Sequence, residues 1–333
     1  MLEMLNPSAG DVLRFAATVV KVRSELNRAM KDSPAKAQAR AVEIFCAPPA
    51  AARRPPSIDR LKDDTQRFFG WKAAQWAAFE APVKALLASA VRTHVLHEGL
   101  KVQCYHWLPT TAQIKPRKPV GRMLLCHGWE GYGLNFALLI YKALAAGYEV
   151  HTFDHLAHAA SEGTQSGLPK VLDTLLTVAA NTTQQHGAID VLVGHSLGGA
   201  AAGWAAAHRA IQVQRLVLIA PFYDTYQLSA LWAKAHVLPE AVRVQLQRGL
   251  EASSGKTFDD FMPQSLAPLL NQQPELPVLI VHDKADKITA YHHSAAMARL
   301  GQRTTLLTVR QLGHIAVLAD EACAQAVMDF IAG

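Results

Sequence analysis

An α/β architecture, with a mostly parallel central sheet and helices on both faces, is predicted by two features of this 333-residue chain. The first is a regular alternation of short aliphatic runs with helical segments, which is the pattern of strands joined by crossover helices. FALLIYKALAAG reads as helix, YEVHTFD as strand, PKVLDTLLTVAANTTQQH as helix, AIDVLVGHS as strand and AAAGWAAAHRA as helix. QRLVLIAP and PVLIVHD follow as strands, then YHHSAAMARLG as helix, TTLLTVR as strand and DEACAQAVMDFIA as helix. The second feature is the texture of the inner strands. Ile189 and Val191 to Val193 show little polar alternation, as expected of strands covered on both faces.

Upstream of residue 91 the texture is helical. Val12, Phe15, Val19 and Val22 recur at i, i+3, i+4 spacing and predict a helix over 10–31. The connection APPAAARRPPS, Ala47 to Ser57, is too proline-rich for regular helix or central strand. A second helical zone is expected from Ile58 to Leu87, carrying Phe68, Phe69, Trp71 and Trp76. THVLHEG, LKVQCYHWLP and GRMLLCHGW then read as strands divided by turn residues, with Gly99 and Pro109 at the first two joints. The expected organisation is a helical N-terminal extension over 1–90 and an α/β domain over 91–333. An insert of about 222–274, from Phe222 to Pro274, is too long for a simple connection and is expected to form a lid of a few helices.

Bulk properties narrow the class. Half of the chain is apolar, enough for a large core. No apolar run reaches membrane length, and MLEMLNPSAGDVLRF lacks a continuous apolar stretch of the signal-peptide kind. Cys46, Cys104, Cys126 and Cys323 have no metal spacing and are expected to be reduced, so a cytoplasmic location is expected. The net charge of +6 sits mainly in residues 1–90, with fourteen Lys and Arg against nine Asp and Glu. That excess is modest and lacks a recognition motif, so no nucleic-acid partner is expected. A solvated helical face explains it, with an arm that meets a membrane or a partner protein, or a contact between copies through the extension, as the alternative. The aromatic residues of the extension are expected to pack on the main domain rather than lie on a membrane.

The chemistry centres on Gly194-His195-Ser196-Leu197-Gly198-Gly199, which interrupts a strand and an alanine-rich helix. A serine flanked by small residues at a strand-to-helix turn is either a helix N-cap or an exposed nucleophile. The order of the other groups decides. VHDKADKIT follows a strand and carries Asp283 and Asp286, and QLGH follows the last strand and carries His314. Ser, Asp, His is the chain order of the nucleophile-elbow hydrolases. Over about residues 91–333 the sequence thus resembles the α/β-hydrolase superfamily, in its lipase- and esterase-like branch with a lid.

The resemblance implies Ser196 as nucleophile, Asp286 as acid and His314 as base, with the backbone N–H groups of Trp129, in CHGW, and Leu197 as oxyanion donors. Asp283 stands where the related H-G-x-x-D motif has glycine and is the alternative acid. Asp154 to Ser161 resembles the D-x-x-G-H-G-x-S loop, but Ala157 and Ala159 replace its glycines. His195 and His282 are expected to be structural, and His127 to tie the oxyanion loop together. The His151–His158 run invites a metal, yet its spacing matches no metallohydrolase signature, so neither metal nor cofactor is expected. Phe222 and Trp232 are candidates for the substrate pocket, as is Trp129, which like Phe222 flanks the expected site; Tyr223 and Tyr226 are the further aromatic candidates, with lid packing as their other reading.

The implied reaction is cleavage of small-to-medium acyl carboxylic esters through an acyl-serine. Acyltransferase, thioesterase, peptidase, C–C hydrolase or cofactor-free haloperoxidase chemistry would use the same three residues. A non-catalytic binding protein on this scaffold is the remaining alternative.

Overall fold

The computed structural model describes residues 9–109 and 118–333, with side chains from residue 15 onward. It holds one eight-stranded sheet in the order β1-β2-β4-β3-β5-β6-β7-β8. These are β1 (Val91–His97), β2 (Leu100–Trp107), β3 (Arg122–Cys126), β4 (Glu149–Phe153), β5 (Val191–His195), β6 (Arg215–Ile219), β7 (Val278–Asp283) and β8 (Thr304–Val309). β1 and β2 form an antiparallel hairpin, and β2 pairs antiparallel with β4; every other pairing is parallel. Glu98 and Gly99 both have positive φ, which suits a two-residue hairpin turn. β4, β5 and β7 are buried throughout, β4 despite its Glu149, His151 and Thr152, whereas edge strands β1 and β8 have exposed residues.

Helices cover both faces. Leu124, Leu192, Leu216 and Ile280 look toward α6 (Leu168–His186), α7 (Leu197–Ala207) and α10 (Pro263–Asn271). Their strand neighbours Leu125, Val193, Val217 and Val281 look the other way, toward α4 (Ala73–Ser89), α5 (Ala137–Ala145) and α13 (Glu321–Ala332). This is the period-two alternation of a sheet with two cores. In α7, ten of the eleven residues are buried, and its Ala and Gly content lets it seat closely on β5 and β6.

The N-terminal segment forms α1 (Ala9–Asp32), α2 (Pro34–Phe45), a 3₁₀ turn at Ala50–Arg53, and α3 (Ile58–Arg67). The helical zone expected over 58–87 is therefore two helices, broken around Gly70, whose φ is +65°. α2 begins with Ser33 accepting from the Lys36 N–H and with a proline in its first turn, a paired start signal. The segment after β6 forms α8 (Thr225–Ala235), α9 (Glu240–Ser254) and α10. α2 lies on α9 so closely that a methyl group at Gly249 would sit 2.6 Å from Val42. Val22, Leu26, Ala41, Val242, Leu246 and Leu250 fill that helical layer. α11 (Tyr291–Leu300) and the short α12 (Gly313–Ala316) complete the chain. Among the described residues no helix is long and apolar enough to cross a membrane, and all four cysteines are free and buried.

Candidate active site

Ser196 follows β5 directly and has φ +53° and ψ −118°. Holding a non-glycine residue there requires its neighbours to make room. A methyl group at Gly194 would lie 2.7 Å from Gly199 Cα. One at Gly198 would lie 2.7 Å from the Cys126 carbonyl carbon and closer still to the carbonyl oxygens of Cys126 and His127. One at Gly128 would lie 2.8 Å from Ser196 Cβ. The turn and the loop after β3 are thus pressed backbone to backbone, which only glycine permits.

The three expected side chains converge. Ser196 Oγ lies 2.8 Å from His314 Nε2, and His314 Nδ1 lies 2.8 Å from Asp286 Oδ2. Asp286 also accepts the N–H groups of Ile288 at 2.7 Å and Thr289 at 3.0 Å and the Thr289 hydroxyl at 2.9 Å. His282 Nε2 lies 3.3 Å from the same carboxylate, and its Nδ1 is 2.7 Å from Ser294 Oγ. Burial alone would raise the Asp286 pKa, but the hydrogen bonds from His282 and His314 hold it well below the ordinary carboxylate range. Sequence reasoning missed the parts of His282 and Thr289; their nearness to Asp286 in the chain was the available signal.

The alternative acid has a different job. Asp283 accepts from the N–H groups of Leu312 at 2.5 Å, Gly313 at 2.8 Å and Ala285 at 2.7 Å. It clamps the loop of Asp286 to the loop of His314. His195 Nε2 donates to the His314 carbonyl at 3.0 Å, fixing that loop from the other side. Burial lowers the His195 pKa to about 3, so the ring stays neutral.

The Asp154–Ser161 loop keeps its turns despite its alanines: Ala157 and Ala159 have φ of +61° and +45°. Its residues brace the loop after β3. His155 N donates to His127 Nε2 at 2.9 Å, His127 Nδ1 donates to the Gly128 carbonyl at 2.7 Å, and Glu130 N donates to His158 Nε2 at 3.2 Å. His127 therefore ties the loop as its position implied. Asp154 accepts from Gly133 N and from the Tyr105 hydroxyl, both at 2.9 Å. Its pKa is pushed up to about 6 by burial. Among the described residues neither the Trp129 nor the Leu197 N–H donates to another group.

A cavity of about 620 Å³ opens beside this centre. Gly128, Trp129, His195 and Ile315 line one wall, and Arg54, Arg60, Phe68 and Phe69 of the N-terminal segment line the other. Of the pocket candidates, Trp129 lies on this wall, but Phe222 and Trp232 do not. Phe222 sits in the main core and donates its N–H to the Ser196 carbonyl at 3.0 Å. Trp232 packs edge-to-face on Phe45, ring centroids 5.4 Å apart, within the helical layer of α2 and α9. Tyr132 donates to Asp64 at 2.8 Å, and Arg60 lies 4.0 Å over the Tyr132 ring, so α3 is fastened to the loop after β3.

Comparison with known proteins agrees with this fold. Residues 121–259 match a family described as alpha/beta hydrolase fold, and residues 260–332 match one described as TAP-like protein. No curated protein matches the sequence. Among solved structures, the chain is similar to Est1E from Butyrivibrio proteoclasticus, at 17% identity and TM-score 0.56, over 73% of this chain and 99% of that one. It is similar to the esterase Pf2001 of Pyrococcus furiosus at 15% identity and TM-score 0.58, over 86% and 98% of the two chains. A third likeness, at 17% identity and TM-score 0.54, is to a protein titled a putative lipase from Acinetobacter baumannii, over 79% and 97%. At these identities the structures speak for the fold alone. Together with the match over residues 121–259, they show that the chain has the alpha/beta hydrolase fold.

Proposed function

We propose that this hydrolase cleaves carboxylic esters of small-to-medium acyl chain through an acyl-serine intermediate. The observation that carries the reading is the continuous hydrogen-bonded run from Ser196 through His314 to Asp286. Ser196 Oγ attacks the ester carbonyl carbon while its proton passes to His314 Nε2. The negative oxygen that forms is held by the N–H groups of Trp129 and Leu197, at the start of α7 where the helix dipole favours it. Collapse breaks the bond to the alkoxide, which leaves with the His314 proton. Water then attacks the acyl-serine by the same steps in reverse and frees the acid. Asp286 keeps Nδ1 protonated and stabilises the imidazolium; its lowered pKa keeps it ionised throughout.

Structures of esterases among the neighbours favour ester substrates, and one of them was solved with ferulic acid bound. We read α8 and α9 as the lid, since that segment leaves the sheet at Pro221–Phe222, directly beside Ser196. The test is intact-mass analysis after treatment with a fluorophosphonate. Wild type should gain one adduct and the Ser196→Ala variant none, with hydrolysis of p-nitrophenyl esters falling by ~10⁴ to 10⁶ in the variant. A folded wild type that neither labels nor hydrolyses any ester of the series overturns the reading.

A further inference from the structure

The sheet end opposite Ser196 carries a group of side chains that ester cleavage does not use. His106 on β2 and His151 on β4 are directly paired residues on adjacent antiparallel strands, so both rings leave the sheet on one face. Their centroids are 5.3 Å apart and the ring planes differ by only 17°. His186, the last residue of α6, closes the third side, 4.9 Å from His106 and 4.6 Å from His151 between centroids. One nitrogen from each ring can be chosen so that all three lie within 4.8 Å of one another. Among the described residues no other group of three or more His, Cys, Asp or Glu side chains gathers its donor atoms in this way.

Behind the rings stands a buried carboxylate. Glu149 lies two residues before His151 on the same strand and therefore on the same face. It accepts from Arg122 Nε at 3.1 Å and Nη2 at 2.8 Å. His151 Nε2 is 2.7 Å from it and His186 Nδ1 3.0 Å. Two of the three imidazoles thus have one nitrogen anchored on a single carboxylate, the arrangement that orients histidines and raises their basicity toward a metal. The other nitrogen of each, and both nitrogens of His106, make no hydrogen bond among the described residues.

We propose that His106, His151 and His186 form a binding site for one divalent transition ion, Zn²⁺ being the fitting type, which clasps β2, β4 and α6 together. An all-imidazole set suits Zn²⁺ and neighbouring ions and disfavours Mg²⁺ and Ca²⁺, which want oxygen. With metal–nitrogen bonds of about 2.0–2.1 Å, tetrahedral ligands stand roughly 3.3 Å apart. His106 and His186 are only half-buried and can turn by that margin, while buried His151 stays anchored on Glu149. The fourth position opens to solvent and takes water. The site lies at the strand ends remote from Ser196, so its ion has no part in the proposed hydrolysis.

The test uses the full chain, stripped with a chelator and dialysed, then titrated with zinc chloride alone by calorimetry and by thermal melting. One equivalent should bind with micromolar or better affinity and raise Tm, whereas magnesium chloride should change nothing. His106→Gln and His186→Gln, both at half-buried positions, should each weaken zinc binding at least 100-fold. Both should keep the metal-free Tm and the ester activity of the wild type. Absence of zinc binding by the folded wild type overturns the proposal. So does binding of unchanged affinity in both variants, which would put the ion elsewhere. Cobalt substitution gives a second readout: strong visible absorption of four-coordinate Co²⁺ in the wild type, lost in either variant.

Discussion

Two tight turns flank the site, and they solve similar problems with opposite residues. The strand-to-helix turn at 194–199 uses glycines whose φ is ordinary but whose missing methyl groups would strike backbone. The 154–161 loop uses alanines at left-handed φ, 1% and 7% exposed, which fit the space but not the preferred conformation. The first constraint is one of volume and the second one of dihedral angle. A collision with fixed backbone can be relieved only by moving the chain, whereas a left-handed alanine costs about 1–2 kcal/mol and moves nothing. That difference explains how a loop can lose both its expected glycines and keep its shape, while a turn of the first kind cannot lose even one.

The comparison can be broken most readily at Gly198. Gly198→Ala should cost about 3 kcal/mol or more, by the overpacking mechanism, and should displace the backbone of Cys126 and His127. Ester hydrolysis should fall by ~10² or more, because the loop after β3 moves with it. Chemical denaturation and steady-state kinetics on the same preparation check both numbers, and a near-neutral result would show that volume is not the constraint.

Acid should strain both regions together. Burial holds His155 and His195 at about 3 and His158 at about 4, below the ordinary histidine value near 6.5. The unfolded chain therefore binds protons that the folded one refuses. Stability from these rings is fully present above pH 6.5 and is lost as pH falls toward 3–4, at about 1.4 kcal/mol per ring per pH unit. The shift of Asp154 to about 6 acts in the opposite direction, adding stability as pH falls from 6 to 4, but it is one group against three. The net loss of about 3 kcal/mol should lower Tm by roughly 4 °C between pH 7 and pH 5.5, read by differential scanning calorimetry. A flat profile would mean that the rings are hydrated in the folded state.

The smallest effect is expected at the alanines. Ala157→Gly and Ala159→Gly each relieve a left-handed alanine, but each also removes a buried methyl group, about 0.8 kcal/mol, and adds freedom to the unfolded chain. The three contributions nearly cancel, so ΔG should change by less than about 1 kcal/mol in either variant, with activity retained. A loss of several kcal/mol would show that these methyl groups are essential packing.

The same contrast between local and distant causes decides what could be read from the sequence. Each aliphatic run became a strand, and Ser196, Asp286 and His314 were legible because each sits in a short motif just after a strand end. The two readings of the acid separated only in three dimensions, where Asp283 turned out to hold backbone and Asp286 to hold His314. The packing of Trp232 on Phe45 was hidden as well, since nothing in the insert's sequence says that α2 lies against it. His106, His151 and His186 carry no sequence signature at all, since a strand pairing and a helix end bring them together. The cavity wall formed by Arg54 to Phe69 was equally hidden, its partners lying from about 60 to nearly 270 residues away.

That wall bears on how the molecule is made. The stretch from Cys46 to Trp71 is stitched to four separate places: Ser166 N donates to the Cys46 carbonyl, Ala159 N to the Ala52 carbonyl, Tyr132 to Asp64, and Trp71 Nε1 to the Ala319 carbonyl. During synthesis from the N-terminus, α3 and Trp71 emerge long before any of these partners exist. Contacts so distant in sequence form late, after the loops they close have been drawn in. Cys46, Ala52 and Asp64 meet their partners once residue 166 has been made, whereas Trp71 must wait for nearly the last residues. A nascent chain halted before Ala319 would already hold every residue that lines the cavity, yet lack the carbonyl that fastens Trp71.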